Sequence, residues 1–172
     1  NTHSHIIAAV AIGLLLAGGL ALTACSSSDC PLNNVVLQQI HFYDTSGKKQ
    51  TVQDTLTITV RDSIVLNRAT GLGELKLPMS YEAATDTLVF RYAATGATVS
   101  ATDTVIISKT NTPHFVSLEC SKVIFPGIPD VKWSRRPPAQ ECRYAIDSIA
   151  VKNPEVNTDA KENLQIYFSV YQ

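Results

Sequence analysis

Residues 54–60 read Asp54-Thr55-Leu56-Thr57-Ile58-Thr59-Val60, a strict alternation in which Leu56, Ile58 and Val60 point one way and Thr55, Thr57 and Thr59 the other. A period of two belongs to a half-buried strand, because successive side chains leave opposite faces of a sheet. The pattern returns at Leu164, Ile166, Phe168 and Val170, set against Gln165, Tyr167 and Ser169, and again at Leu88, Phe90 and Tyr92. Thr, Val and Ile make up 39 of the 148 residues from Cys25 onward. Their branched side chains suit a pleated surface and crowd a helical turn. No window past Cys30 shows a helical period, so the fold class is all-β.

Short apolar runs predict about nine strands, starting near Val35, Asp54, Ser63, Glu74, Asp86, Thr102, His114, Arg143 and Asn163. Turns are expected at Asp44-Thr45-Ser46-Gly47, Asn67 to Gly73, Ala94-Thr95-Gly96, Asn111-Thr112-Pro113 and Asn153-Pro154. Connections this short favour antiparallel neighbours. An antiparallel β-sandwich fits the uneven runs and a long loop at 126–140 better than the alternative, a β-barrel.

One local motif recurs five times: Asp54-Thr55-Leu56, Asp62-Ser63-Ile64, Asp86-Thr87-Leu88, Asp103-Thr104-Val105 and Asp147-Ser148-Ile149. An Asp at a strand entrance can accept hydrogen bonds from the next backbone N–H groups, so these are expected to be Asx-type turns. Their irregular spacing excludes a solenoid or propeller repeat.

Charge is nearly balanced, with 14 Lys+Arg against 15 Asp+Glu. That argues against a nucleic-acid binder, which concentrates a basic excess. The apolar content, 45% overall, is uneven. Residues 1–24 carry no Asp, Glu, Lys or Arg, and Ile6 to Leu22 is apolar or Gly throughout. That length suits the core of a signal peptide and is marginal for a membrane span. The run ends in Leu22-Thr23-Ala24-Cys25, followed by Ser26-Ser27-Ser28. These residues resemble the lipobox of bacterial lipoproteins. The resemblance implies cleavage before Cys25, lipidation of its thiol and amino group, and sorting to the outer membrane, facing either the periplasm or the cell surface. Two or more acyl chains give stable anchoring where one does not. The organisation expected is a signal peptide at 1–24, a lipidated tether at 25–34 and one all-β domain at 35–172, a length that can bury about two-thirds of its unfolded surface.

With Cys25 assigned to lipid, Cys30, Cys120 and Cys142 allow three disulfide pairings with one thiol left over. Chemistry-bearing residues are sparse. His41 and His114 are the only histidines past the leader, and neither belongs to a nucleophile elbow, a metal-binding helix or a Cys-His signature. Gly71-Leu72-Gly73 reads as a turn, with no helix following it to cradle phosphate. No catalytic residue, metal site or cofactor is expected. The segment that reads as more than packing is Phe125 to Gln140, where four Pro accompany Trp133, Lys132, Arg135 and Arg136. An aromatic among cations is a composition enriched at binding hot spots.

The order Cys30-Pro31-Leu32-Asn33-Asn34, Asp62 to Arg68, His114 to Cys120 and Ala145 to Ile149 resembles an uncharacterised family of Bacteroidetes-type lipoproteins. That resemblance implies a Cys30–Cys120 disulfide and assigns no activity. The function expected is a lipid-anchored envelope domain that binds or scaffolds, its partner another envelope protein or a glycan. The alternative is a small envelope hydrolase acting on glycan.

Overall fold

The computed structural model describes residues 35–94, 96–97, 100–115, 122–139 and 142–171. Among these described residues nine strands form in chain order: β1 Leu37–Asp44, β2 Thr55–Val60, β3 Ser63–Ala69, β4 Glu74–Pro78, β5 Thr85–Ala93, β6 Ala101–His114, β7 Val123–Trp133, β8 Tyr144–Val151 and β9 Glu162–Val170. They make two sheets, ordered β4-β1-β9-β8 and β3-β2-β5-β6-β7, which do not close into a barrel. All pairings between strands are antiparallel except β1 against β9, where the first and last strands run parallel down the middle of the smaller sheet.

The alternation explains how the sheets pack. Leu56 and Ile58 of β2, Leu88, Phe90 and Tyr92 of β5, and Val105 and Ile107 of β6 are buried from one sheet. Ile40 and Phe42 of β1, Leu75 and Leu77 of β4, and Leu164, Ile166 and Phe168 of β9 are buried from the other. Phe168 sits at the centre, with Phe42, Tyr92 and Tyr144 each packed edge-on at 5.1, 6.1 and 6.1 Å. Such crossed rings gain about 0.5–1.5 kcal/mol beyond the area they bury.

Two expectations about the chain path are corrected. No strand starts at His114. β6 continues through Asn111-Thr112-Pro113 and ends there, pairing with Phe125, Ile124 and Val123. The Asn111 amide, which reads as a turn former, donates instead to the Tyr81 carbonyl, and the His114 ring stacks on Phe125 at 4.6 Å. The loop expected at 126–140 is likewise strand as far as Trp133. Pro126 is tolerated because its nitrogen faces the sheet edge. There its carbonyl accepts from Val156 N–H at 2.8 Å, and Ile128 N–H donates to Pro154 at 2.7 Å.

Candidate functional site

β8 is the edge strand of the smaller sheet, and its outward backbone groups meet side chains rather than a neighbouring strand. The Tyr144 carbonyl accepts from Arg136 at 2.6 Å. Ile146 N–H donates to Asp103 at 3.1 Å, and the Asp147 carbonyl accepts from the Trp133 indole at 3.1 Å. Three side chains, from β6, from the end of β7 and from the segment after it, therefore satisfy a row of edge groups, of which those of Tyr144 and Ile146 belong to buried residues. Arg136 also lies 5.4 Å from the centre of the Tyr92 ring, and its Nε comes within 2.8 Å of Asp103 without the alignment of a hydrogen bond.

Burial sets the electrostatics of this seam. It is the largest influence on Asp103 and raises its carboxyl above the usual value; the Ile146 N–H and Arg136 offset it only in part. Burial also pushes the Tyr92 hydroxyl well up, helped by the neighbouring Asp103 charge.

The four residues singled out as a binding loop thus separate into two pairs. Trp133 is half-buried against the core and Arg136 turns inward, whereas Lys132 and Arg135 are exposed. Arg135 remains tied to the aromatic, with its guanidinium 5.5 Å from the centre of the Trp133 ring. Beside it lies a depression of about 380 Å³, lined by Arg135, Arg136, Pro137, Pro138, Asp147 and Ser169. Its acid is held in place by two hydroxyls, Ser148 Oγ at 3.1 Å and Ser169 Oγ at 3.4 Å. A cation and a carboxylate lining one depression suit a polar partner.

A second cluster occupies the outer face of the smaller sheet. His41 Nδ1 lies 3.3 Å from Glu162 and its Nε2 3.6 Å from Glu74. The Tyr43 hydroxyl donates to Glu162 at 2.8 Å, and that bond is the main reason its pKa is raised. Gln165 bridges Glu162 to the Tyr167 hydroxyl, and the Tyr43 and Tyr167 rings lie 5.5 Å apart. Sequence reasoning found His41 but missed Tyr43, Glu162, Gln165 and Tyr167. Their outward parity is legible; the parallel register that sets Tyr43 beside Tyr167 is not.

The Asp-hydroxyl-aliphatic motif is corrected as well. Asp54, Asp86 and Asp103 are buried and each meets a cation: Arg143, Lys109 and Arg136 respectively. A signal for this was present, because each shares parity with the core residues that follow it: Leu56, Leu88 and Val105. The Asx geometry appears instead at Asp44, whose carboxylate accepts from the Ser46 and Lys48 N–H groups and is held below the usual range, chiefly by the Ser46 hydroxyl.

Cys25, Cys30 and Cys120 lie outside the described residues, and Cys142 is a buried free thiol. Among the described residues no cluster of His, Cys, Asp and Glu could hold a metal ion, and no helix is long and apolar enough to cross a membrane. Residues 57–168, from β2 through most of β9, match a family of unknown function, DUF6452. The chain belongs to the DUF6452 family. That span includes the lining residues of the Arg135 depression apart from Ser169, and the buried pairs Asp86–Lys109 and Asp103–Arg136. No curated protein and no solved structure matches the chain.

Proposed function

We propose that this DUF6452 protein is a lipid-anchored binding module of the cell envelope. It is held at the outer membrane through Cys25, and it meets an envelope protein or a glycan at the segment that exposes Lys132 and Arg135 and at the depression that Arg135 lines together with Asp147. The observation that supports this best is Arg135 seated over Trp133 and lining a depression that Asp147 also lines. Trp133 is held by its bond to β8, so the ring on which Arg135 rests is a fixed platform. The anchor rests on the lipobox-like residues Leu22 to Cys25.

The test uses the full chain expressed in a bacterial envelope. Arg135→Ala combined with Lys132→Ala is expected to leave the denaturation midpoint within about 0.5 kcal/mol of the parent, as for surface substitutions generally. Capture of the cross-linked envelope partner should fall severalfold. Unchanged capture refutes this segment as a binding surface. Cys25→Ala is expected to release the chain from the membrane fraction, and retention there refutes the anchor.

A further inference from the structure

The five-stranded sheet carries a second depression, on the outward face of β2, β3 and β5, with a volume of about 330 Å³. Its walls include Arg68, Arg91, Asn67 and the hydroxyls of Thr57 and Thr59. The register explains how they meet. Thr57 pairs with Arg91 across β5, and on its other side Thr57 Oγ1 accepts from Arg68 N–H at 3.2 Å. The two arginines therefore flank one threonine from neighbouring strands. Because that hydroxyl uses its oxygen on Arg68, its proton is free to donate outward.

Arg68 is brought there by a distortion. Between Leu56 and Ile58 of β2, the partner strand advances from Ala69 to Leu66, so β3 carries one extra residue opposite Thr57. Arg68 takes φ 47° in that bulge, a backbone conformation in which an L side chain is disfavoured and which glycine usually occupies. Bulges re-aim side chains, and here the residue re-aimed is a cation. Among the described residues, neither Arg68 nor Arg91 lies within ion-pair distance of an acid, although the buried Asp54, Asp86 and Asp103 each have a cation.

We infer that this depression binds a phosphomonoester dianion, held between the Arg68 and Arg91 guanidinium groups with Thr57 and Thr59 as hydroxyl donors. Two forked cations and hydroxyl protons match a tetrahedral oxyanion, which accepts from several directions at once. The net charge of −1 argues against a broad polyanion-binding surface; it places no limit on a local pair. This site shares no lining residue with the Arg135 depression and stands independently of it.

The test measures binding to the full chain of inorganic phosphate by calorimetry and of phosphatidic acid in phosphatidylcholine vesicles by co-sedimentation. Saturable binding to either probe is expected, weakening as salt rises, and the probe bound more tightly tells a free anion from a lipid headgroup. Arg68→Asn keeps a residue that tolerates positive φ while removing the charge; Arg91→Gln removes the other cation with no backbone demand. Each should weaken binding about tenfold or more, with Arg91→Lys intermediate because it keeps charge but loses the fork. Lys152→Gln, which alters an exposed cation outside the depression, should change nothing. The inference is overturned if neither probe saturates, if Arg91→Gln binds as the parent does, or if Lys152→Gln costs as much as the two site variants.

Discussion

Lys109→Met isolates the energetics of the most deeply buried charge pair. The Lys109 side chain is 0% exposed and that of Asp86 1%, with 2.7 Å between Nζ and Oδ2. Lys109 also donates to the Ser80 carbonyl, and Ser80 N–H donates to Asp86 at 3.0 Å, so the pair ties β5 and β6 to the chain leaving β4. Methionine fills much of the lysine volume but leaves Asp86 with the Ser80 N–H as its only remaining partner in this network. Stranding one member of a buried pair costs about 3–5 kcal/mol, a large share of the 5–15 kcal/mol typical of a domain. With a urea slope of about 2 kcal/mol/M, the midpoint should fall by about 1.5–2.5 M. Adding Asp86→Asn removes the stranded charge while keeping an acceptor for Ser80 N–H and supplying an amide donor for the Ser80 carbonyl. The double variant should therefore recover at least half of the loss. The assay is equilibrium urea unfolding of parent, both single variants and the double variant as a cycle. A single-variant cost below about 1 kcal/mol, or a double-variant cost equal to the sum of the singles, refutes the reasoning.

Asp103→Asn tests the seam along β8 through its pH dependence. Because burial raises the folded carboxyl above 3.8, the folded chain holds this proton more tightly than the unfolded chain. The group's contribution to stability is then fully present below the unfolded value and declines as pH rises through the folded one. Asparagine removes that decline, so urea midpoints measured upward from about pH 4 should fall less steeply in the variant than in the parent; parallel slopes refute the assignment. Trp133→Phe keeps an aromatic ring but deletes the bond to the Asp147 carbonyl, and should cost about 1 kcal/mol in the same assay. No loss would mean that the indole N–H does not hold this edge.

Strand existence was legible because it depends on parity, which a sequence displays directly. The runs at 54–60, 86–92 and 164–170 become β2, β5 and β9 with Leu56, Leu88 and Leu164 inward. Pairing was less legible, since β1 finds β9 from the far end of the chain and no local residue announces it. The buried aspartates illustrate a competition between two readings. A local hydrogen-bond argument makes Asp before Thr a turn former, yet parity places Asp86 and Asp103 on the same face as Phe90 and Ile107. For Asp86 the buried carboxylate meets Lys109, in line with Val105 and Ile107 on β6, whereas Asp54 and Asp103 meet Arg143 and Arg136, which lie outside the strands. The candidate site divides in the same way. Composition located Trp133 and the arginines, but which of them face solvent depends on the unpaired edge of β8, a feature of tertiary structure that the local sequence does not encode.

How the sheet edges are managed bears on what kind of recognition the fold permits. An exposed edge strand invites pairing by another chain. Here β7 is covered at Pro126 and Ile128 by the Pro154–Val156 segment, and β8 is sealed by Arg136, Asp103 and Trp133. β3 carries two register shifts within seven residues and a left-handed Arg68, so its outer ladder is uneven. These three edges are thus poor templates for an added strand, and recognition near them falls to side chains on the faces and rims rather than to backbone. Both surfaces proposed here have that character. One is Arg135 above Trp133 at the rim of β8; the other is Arg68 and Arg91 either side of Thr57 on the outward face of the larger sheet. The substitutions that test them remove side-chain charge and leave the ladders intact, which is why a loss of binding in those variants can be read as a loss of recognition rather than of fold.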